Sequence, residues 1–503
     1  MSDSKKYVKL SQREHILARP DSYVGSNEIS NEELWVYDED KNKIEKKLIK
    51  FNPALLKIYD EVLVNASDAS VNDKTCEYIQ VHYNKTEGYI SVQNNGDNSI
   101  PVEVHPEYKI LVPSMIFGEL LTSSNYDDAE ERSTGGRNGL GSKLANIYST
   151  KFTVEIVDGK RKKKYYQEWS DNMSTVGKAK VSDITAKIIK PYIKVTFYPD
   201  FKKFCIDNLD NDHYELFYRR VIDIAAIRNN LKVYFNDNLI KVNNFKSYID
   251  LHFTNETIYQ DESNDMWDVA VIYKRDCCDT ISFVNSINTY RGGTHCIHVT
   301  DQIIKVLIND YIKKKDKDLK VSPQLLKDNF VFFINSTLIN PTFASQTKDT
   351  GTTKIEKIKS KYTPSPTFLK KLAKCGIVEQ IIELVKFKES STLKKTDGKK
   401  QVRLLGIPKL DDANKAGSKD SFKCSLILTE GDSAKTFAVS GLSVIGRDYY
   451  GVFPLKGKLL NVREAPPAQL LANEEITNLK KIIGLKSGED YTDDAKFNQL
   501  RYG

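Results

Sequence analysis

Three polar side chains with helical spacing are the first candidates for chemistry in this sequence. Glu61, Asn65 and Asp68 stand at i, i+4 and i+7 in PALLKIYDEVLVNASDAS (Pro53 to Ser70), where the apolar residues recur with the period of a helix. Pro53 suits a first helical turn. We expect one helix with these three groups on one stripe, although ExxxN alone more often marks a solvated polar stripe than a site.

A glycine-rich segment, TGGRNGLGSK (Thr134 to Lys143), precedes the helical pattern SKLANIY. Backbone N–H groups of such a loop can wrap a triphosphate at the start of a helix, and the glycines permit the close approach. Arg137 and Lys143 would add positive charge. A flexible surface loop is the alternative reading.

A third candidate is the turn QNNGDNSIP (Gln93 to Pro101), which follows the strand-like YISV. Asn94 could hydrogen-bond an adenine amino group and Gly96 permits close approach, but an ordinary Asn-Gly turn has the same letters. Taken together, Glu61 can polarise a water, Asn65 can present a neutral oxygen to Mg2+, and loop amides can hold phosphate oxygens. The combination predicts an ATP site that uses Mg2+.

Composition sets broad limits on the chain. Its 503 residues, 40% hydrophobic and 28% charged, can form about three or four domains. A formal charge of +7, from 75 basic and 68 acidic residues, fits a nucleic-acid partner and a mixed-charge surface equally well. The chain has no apolar stretch of membrane-span length and no signal-peptide pattern at its start, so we expect an intracellular protein. Seven cysteines without CxxC pairs predict reduced thiols, with no disulfide and no structural metal.

The elements that must position these candidates follow from the patterns along the chain. Helical patterns alternate with β-rich runs in the first part, which predicts an α+β domain, and a helix is expected near Glu215 to Ile227. A second α+β segment from about Asn243 to Lys388 includes a helical pattern from Val299 to Lys315. The segment from Glu389 to Asp420 reads as a linker, and a strand at Cys424 to Leu428 with a following helix opens a βα unit.

The combination of YDEVLVNASDA, LLTSSNYDD and TGGRNGLGSK resembles the ATPase domain of eukaryotic-type DNA topoisomerase II, a member of the GHKL ATPase superfamily. The resemblance implies that Glu61 is the general base, Asn65 the Mg2+ ligand and Asn94 the adenine contact. It also implies further ATP-binding residues: Ser123, Ser124 and Asn125 at the ribose and phosphates, Arg137, Asn138, Gly139, Leu140, Gly141, Ser142 and Lys143 in a phosphate lid, and Tyr7 in a strap that crosses to the partner protomer. Two departures are Ala69, where the family usually has a second Asn, and the turn NNGDNSIP, which is one residue longer than the family's.

Two later segments resemble other parts of the same family. In NPTFASQTKDT, Gln346 and Lys348 resemble the QTK loop, which reaches from the transducer domain into the ATP site. A lysine from a second domain stabilises charge on the γ-phosphate and couples domain position to the nucleotide, so Lys348 is predicted to be catalytic. The basic run Lys313, Lys314 and Lys315 resembles a loop that meets DNA, while a solvated helix end explains it equally well.

LTEGDSAKTF and GVFPLKGKLLNVREA resemble the TOPRIM domain of type IIA topoisomerases. The resemblance implies that Glu430 binds the Mg2+ used in DNA cleavage. The paired aspartates and the tyrosine nucleophile of the family have no match here, so we expect an N-terminal fragment that does not cleave DNA by itself.

The implied fold class is α+β multidomain, with a GHKL (Bergerat) ATPase sandwich, a ribosomal-protein-like α+β transducer and a partial α/β TOPRIM. The predicted boundaries are 1–242 for the ATPase domain with its strap, 243–390 for the transducer, 391–420 for a basic linker and 421–503 for TOPRIM. The expected function is the ATP-hydrolysing N-gate of a homodimer that captures double-stranded DNA, located at DNA in a nucleus, or in a host cell or virion if the source is viral. A heat-shock chaperone or MutL-like GHKL protein, which would lack Glu430 and PLKGK, and a non-catalytic ATP-dependent DNA clamp are the alternatives.

Overall fold

The computed structural model describes residues 7–97, 100–123, 130–136, 139–228, 231–261, 265–401, 404 and 406–503, with the backbone alone for 390–395. The chain divides into two compact units, one of residues 1–306 and 326–375 and the other of residues 307–325 and 376–503. Among the described residues, no helix has the length and apolar character that a membrane span needs.

The helices and strands are numbered along the chain. The α-helices are α1 (Gln12–Ala18), α2 (Pro53–Asn72), α3 (Val112–Gly118), α4 (Gly141–Ile147), α5 (Asn211–Ile227), α6 (Phe245–His252), α7 (Thr294–Val306), α8 (Lys313–Lys315), α9 (Pro323–Lys327), α10 (Pro366–Leu372), α11 (Ile377–Lys395), α12 (Gly431–Ile445), α13 (Pro467–Ala472), α14 (Glu474–Ile483) and α15 (Asp494–Phe497). The strands are β1 (Ser30–Asp38), β2 (Lys43–Phe51), β3 (Tyr78–Asn84), β4 (Tyr89–Asn95), β5 (Ser149–Asp158), β6 (Lys163–Ser170), β7 (Thr175–Val176), β8 (Lys180–Asp183), β9 (Tyr192–Pro199), β10 (Lys232–Phe235), β11 (Asn238–Leu239), β12 (Ile258–Asp261), β13 (Trp267–Tyr273), β14 (Asp279–Val284), β15 (Ile287–Asn288), β16 (Phe330–Ser336), β17 (Ser425–Glu430) and β18 (Tyr450–Leu455).

The first unit contains a large, mostly antiparallel sheet with helices packed on it. Its strands follow the order β11-β10-β3-β4-β9-β5-β6-β7, with β8 beside β6 and with β10 parallel to β3. Alternation such as buried Phe152, Val154 and Ile156 on β5 shows which face of the sheet meets the core. Helix α2 packs on β4, α4 and α5, while α5 also packs on the β1–β2 hairpin. A sheet face and a helical layer therefore enclose one core.

A second sheet in the first unit has the order β12-β13-β16-β14-β15. Strands β13 and β16 are buried along most of their length, as WDVAVIY and FVFFINS predict for central strands covered on both faces. Strand β14 runs parallel to β16 and turns tightly into β15. Helix α7 packs on β16 and covers one side of this sheet.

The second unit is a smaller α/β assembly. Strands β17 and β18 are parallel and helix α12 packs on both of them, so the predicted βα opening after Ser421 is present as a β–α–β unit. A π-helix, Leu307–Ile312, leads into α8 in the segment predicted as one helix from Val299 to Lys315. The core of this unit includes Cys424, Phe453 and Tyr502.

The predicted linker at 391–420 contains ordered structure in its described part. Helix α11 runs to Lys395, across the predicted boundary at 390. The carboxylate of Asp397 accepts hydrogen bonds from Lys480 Nζ at 3.0 Å and from Ser487 Oγ at 2.7 Å. These bonds attach the segment to the rest of the second unit, and the bounds of the four predicted segments stay predictions.

Candidate functional site

Helix α2 is the element that carries the predicted base and metal ligand. It begins at Pro53 because Asn52 caps it, with the Asn52 side chain accepting from the backbone N–H of Leu55 at 2.9 Å. The helix extends to Asn72, two residues beyond the predicted Ser70. Most of the helix is buried, and of the polar stripe Glu61 and Asp68 are buried while Asn65 is exposed.

The stripe borders a cavity of about 1160 Å3, slightly larger than the roughly 300–1,000 Å3 typical of small-molecule sites. Predicted site residues from five separate segments line it: Glu61, Asn65, Asn94, Ser123, Gly139, Leu140, Gly141, Ser142, Lys143, Gln346 and Lys348. Tyr7 is described and is 88% exposed, outside this lining. Ser124, Asn125, Arg137 and Asn138 lie outside the described residues.

The Glu61 carboxylate lies between two ammonium groups. Its Oε1 is 2.5 Å from Lys57 Nζ and 2.9 Å from Lys348 Nζ, and all three side chains are buried. Burial alone raises the pKa of Glu61, but the attraction of Lys348 and Lys57 outweighs it and lowers the pKa to about 2. Glu61 is therefore an ionised carboxylate at neutral pH, aimed into the cavity.

Sequence reasoning missed Lys57. Its position four residues before Glu61 on α2 allows the contact, but an i, i+4 Lys–Glu pair is common on solvated helix faces. Here the pair is buried, and burial lowers the pKa of Lys57 against the attraction of Glu61. Only the packing of α2 reveals this partner.

Lys348 lies in a loop that follows the second sheet of the first unit, and its side chain contacts Glu61. The loop is closed by an antiparallel bridge between Phe343 and Gly351 and by the bond from Ala344 N–H to Thr350 O at 3.0 Å. Lys348 adopts a left-handed conformation with φ of +60°, which is uncommon for a residue with a side chain. In this conformation its Nζ contacts the carboxylate of Glu61.

The glycine-rich segment meets α2 where a side chain could not fit. A Cβ at Gly141 would lie 2.1 Å from Glu61 Oε2, so only glycine lets the start of α4 approach the carboxylate. Gly139 has φ of +59°, and a Cβ there would lie 2.1 Å from the carbonyl oxygen of Thr122. Glycine is required at both positions because the backbone approaches its neighbours closely there, in addition to the flexibility that glycine gives the loop.

Lys143 holds the glycine-rich loop in place. Its Nζ donates to the carbonyl oxygens of Thr122 at 2.8 Å and of Gly139 at 2.6 Å, and its side chain is almost fully buried. Burial lowers the pKa of Lys143 to about 8, so it is mostly charged at neutral pH. The sequence predicted a phosphate contact for Lys143, and the structure gives it backbone carbonyl partners beside the cavity.

Asn94 lies on β4 and lines the cavity. Its register partner on β9 is Ile193, and Val92 pairs with Val195, so a flat apolar floor extends from the Asn94 amide. After the strand, Gly96 has φ of +138°, and a Cβ there would lie 2.4 Å from Asp73 Oδ2. A polar amide beside apolar side chains is typical of small-molecule sites.

Asp68 has partners that the sequence did not predict. Its buried carboxylate accepts the backbone N–H groups of Gly135 and Gly136 at 3.1 to 3.2 Å. Burial raises the pKa of Asp68 to about 6, against the lowering by Gly135 and by the nearby charge of Arg228. The i+7 spacing from Glu61 placed Asp68 on the stripe, and the contact with the glycine-rich segment depends on the tertiary fold.

Asn65 is the one exposed residue of the predicted catalytic stripe, and its side chain lines the cavity. Mg2+ commonly takes one or two protein oxygens and completes its shell with phosphate oxygens and water. A single amide oxygen on the cavity wall, beside the ionised Glu61, fits that pattern.

The remaining predicted residues lie in the second unit. Glu430 ends β17, where it is exposed, and no group of three or more His, Cys, Asp or Glu side chains suited to a metal occurs within the described ranges. Lys313 Nζ donates to Asn309 Oδ1 at 3.0 Å, Lys314 Nζ is 3.9 Å from Asp310, and Lys315 pairs with Glu379. The metal role of Glu430 and the DNA contacts of the three lysines stay predictions.

Comparison with known proteins agrees with this architecture. The family model for DNA gyrase B matches residues 230–401. DNA topoisomerase 2 of Acanthamoeba polyphaga mimivirus is 49% identical over 515 residues, covering 100% of this chain and 40% of that protein. DNA topoisomerase 2 of Drosophila melanogaster is 47% identical over 512 residues, covering 100% of this chain and 35% of that protein. The chain thus spans well under half the length of these two curated relatives.

A solved structure shows the same fold. The ATPase and transducer domains of DNA topoisomerase II from Balamuthia mandrillaris superpose with a TM-score of 0.75 at 38% identity, covering 77% of this chain and 100% of that one. The first unit therefore has the GHKL ATPase fold followed by a transducer fold, as the sequence predicted. The chain belongs to the eukaryotic-type DNA topoisomerase II family.

Proposed function

We propose that the cavity of the first unit binds ATP with Mg2+ and hydrolyses it, and that the chain forms the ATP-operated gate of a type II DNA topoisomerase. The observation that carries the proposal is the position of Glu61, an ionised carboxylate that faces a glycine-lined cavity and is shared by two lysines. Phosphoryl transfer to water uses three parts that surround this cavity: a base, a positive charge from a second subdomain, and backbone that can approach the phosphates closely.

Glu61 is the proposed base. While Lys348 and Lys57 both hold the carboxylate, its pKa of about 2 makes it a weak proton acceptor. A γ-phosphate in the cavity would attract Lys348 away from Glu61, because phosphate carries more negative charge than one carboxylate. The pKa of Glu61 would then rise, so the base becomes stronger when the substrate is in place.

The other residues divide the remaining work. Asn65 would hold Mg2+, which when bound neutralises phosphate charge and orients the triphosphate. Asn94 would accept or donate at the adenine edge, and Gly139 to Lys143 would surround the phosphates with backbone N–H groups. Lys348 would stabilise the charge that develops on the transferred group.

The wider role follows from the family. Relatives named DNA topoisomerase 2 imply double-stranded DNA as substrate, and we propose ATP-driven homodimer closure around it, with Tyr7 at the partner's nucleotide and Lys313, Lys314 and Lys315 at DNA. Glu430 would belong to the cleavage metal site. The expectation that this chain alone does not relax supercoiled DNA stays a prediction, which a relaxation assay checks.

Glu61→Gln tests the proposal because it keeps the size of the side chain and removes its charge. The variant is expected to lose ATP turnover by roughly 100-fold or more, the usual contribution of a general base, while still binding nucleotide. Turnover is measured by phosphate release, and binding by calorimetry with a non-hydrolysable ATP analogue.

Glu215→Gln is the matched control, since Glu215 is an acid on α5 that pairs with Lys47 at 2.8 Å, away from the cavity. It should hydrolyse ATP as the wild type does. Undiminished turnover in Glu61→Gln would refute the assignment of the base.

A further inference from the structure

A buried hairpin tip in the second sheet contacts helix α2 and the glycine-rich segment beside the cavity. Strands β14 and β15 pair at Val284 and Ile287, and the two residues between them, Asn285 and Ser286, have φ of +49° and +68°. Two left-handed residues make the tight hairpin turn that matches strand twist. Such tips are usually solvent-exposed, yet both residues here are 2% exposed. Their polar groups must therefore have partners inside the protein.

Ser286 is bonded to two helices of the ATPase part. Its Oγ accepts from Ser67 Oγ on α2 at 2.9 Å and from Arg228 Nη2 at 2.5 Å, and its carbonyl oxygen accepts from Arg220 Nη2 on α5 at 3.2 Å. Arg228 Nε also donates to Ser67 Oγ at 3.0 Å. Since Ser67 immediately precedes Asp68, the hairpin tip is fixed to the stretch of α2 that borders the cavity.

Asn285 is bonded to the start of the glycine-rich segment. Its Nδ2 donates to Thr134 O at 3.4 Å and to Leu338 O at 2.8 Å, while its Oδ1 accepts from Leu338 N–H at 2.8 Å. Gly135 packs so closely that an added Cβ would lie 2.7 Å from Ile287 Cδ1. The N–H of Gly135 meanwhile donates to Asp68. The segment Thr134 to Gly136 is thus held between α2 and the hairpin tip.

The same hairpin is joined to the loop that carries Lys348. After β15, Arg291 N–H donates to Asp349 O at 3.2 Å, Gly351 N–H donates to Gly292 O at 3.0 Å, and Thr294 N–H donates to Gly351 O at 3.0 Å. Gly293 and Gly351 form a parallel bridge. Backbone bonds of this kind permit little relative motion, so the hairpin tip and the Lys348 loop are held in fixed positions with respect to each other.

We propose that Asn285 and Ser286 are positioning residues of the ATP site, which fix the start of the glycine-rich loop and helix α2 in register with Lys348. Neither side chain reaches the cavity itself. Their effect passes through Ser67, Thr134 and the Gly135–Asp68 contact. The inference rests on the proposed ATP hydrolysis. It adds that the hairpin tip makes the position of the glycine-rich loop and the position of Lys348 depend on each other.

Ser286→Gly is the discriminating variant. Glycine favours the positive φ of this position, so the turn is retained while the acceptor for Ser67 and Arg228 is removed. Loss of these buried bonds should lower kcat/KM for ATP by roughly tenfold. Without nucleotide, amide hydrogen exchange at Gly135 and Gly136 should become faster by a similar factor. Ser67→Ala removes the same contact from the α2 side and should give the same two effects.

Ser282→Ala is the matched control. Ser282 is a fully buried serine on β14, and its Oγ bonds Thr289 within the second sheet, with the Thr289 carbonyl oxygen at 2.8 Å. The Ser282→Ala variant loses a buried hydrogen bond of a similar kind, and this bond does not involve α2 or the glycine-rich loop. Turnover and the exchange of Gly135 and Gly136 should stay within about twofold of the wild type.

The outcomes separate the inference from the proposed function. If Ser286→Gly and Ser67→Ala match Ser282→Ala in turnover and in exchange, the positioning role is wrong while ATP hydrolysis by the wild type still stands. If the wild-type chain hydrolyses no ATP, the proposed function fails, and the exchange measurement still shows whether the hairpin tip holds the loop.

Discussion

At the scale of single residues, the site is defined by charges that burial forces into contact. Glu61 is satisfied by Lys57 and Lys348, whereas Asp68 is satisfied mainly by two backbone N–H groups. The difference sets their pKa values in opposite directions, to about 2 for Glu61 and about 6 for Asp68. The two carboxylates on one helix therefore suit different tasks, with Glu61 ionised at neutral pH and Asp68 able to change its protonation state in mildly acidic conditions.

Asp68 gives a pH-dependent prediction. Burial raises its folded pKa from 3.8 to about 6, so the stability associated with its protonated form is present below pH 3.8 and is lost as pH rises through 6. Asp68→Asn stays neutral at every pH. Its free energy of unfolding relative to wild type should therefore increase between pH 4 and pH 6.5, measured by denaturant titration.

The same variant should bind ATP less well at pH 7.5, because an amide oxygen is a weaker acceptor than a carboxylate for the N–H groups of Gly135 and Gly136. A rise of roughly tenfold in KM is expected. A KM equal to that of wild type at pH 7.5 would show that the carboxylate does not hold the loop, and a pH-independent difference in stability would contradict the raised pKa of Asp68.

At the scale of elements, the central feature is the close contact of helices α2 and α4. Their approach depends on Gly141, which leaves room for the Glu61 carboxylate, and on Lys143, which ties the loop before α4 to Thr122. A glycine at the first position of a helix has a low helical propensity, so its presence there reflects packing rather than local preference.

Gly141→Ala tests the close contact between α4 and Glu61. The added Cβ would stand 2.1 Å from Glu61 Oε2, so the carboxylate must leave its place beside Lys348 or α4 must shift. We expect kcat for ATP hydrolysis to fall by roughly 100-fold and stability to fall by about 1–3 kcal/mol, the usual cost of overpacking.

Gly441→Ala on α12 is the control for that substitution. Nothing lies within 4 Å of a Cβ built there, and alanine favours a helix, so stability should rise slightly and ATP turnover should not change. Equal turnover in the two alanine variants would contradict the tight contact between α4 and Glu61.

At the scale of the whole first unit, two sheets meet at one cavity. The ATPase sheet and its helices supply Glu61, Asn65 and Asn94, and the loop after the second sheet supplies Lys348. The hairpin tip at Asn285 and Ser286 contacts α2 and the glycine-rich segment beside the cavity. Buried ion pairs reinforce the junction, since Arg220 contacts Asp60 at 2.6 Å and Asp223 at 2.7 Å and also reaches the Ser286 carbonyl. The proposed ATP site on the first sheet is therefore linked by direct contacts to the second sheet.

Sequence reasoning reached the fold and most of the cavity because both have local signatures. The helix period around Glu61, the four glycines after Thr134 and the QTK letters at Lys348 each identify a segment, and family resemblance joined them. It could not find Lys57, whose i, i+4 spacing also occurs on solvated helices, or the partners of Asp68. The hairpin tip at Asn285 was equally hidden, since two turn residues usually face solvent and only the tertiary fold buries them.

The central claim is that Glu61 and Lys348 act as one catalytic unit assembled from two sheets. A double-mutant cycle on ATP hydrolysis tests it directly, with kcat at saturating ATP measured for wild type, Glu61→Gln, Lys348→Met and the double variant. Residues that act as a unit give non-additive losses. The double variant should be no slower than Glu61→Gln by more than about threefold, although Lys348→Met alone should lose roughly 100-fold. Losses that multiply fully, or wild-type kcat in Lys348→Met, would contradict the account.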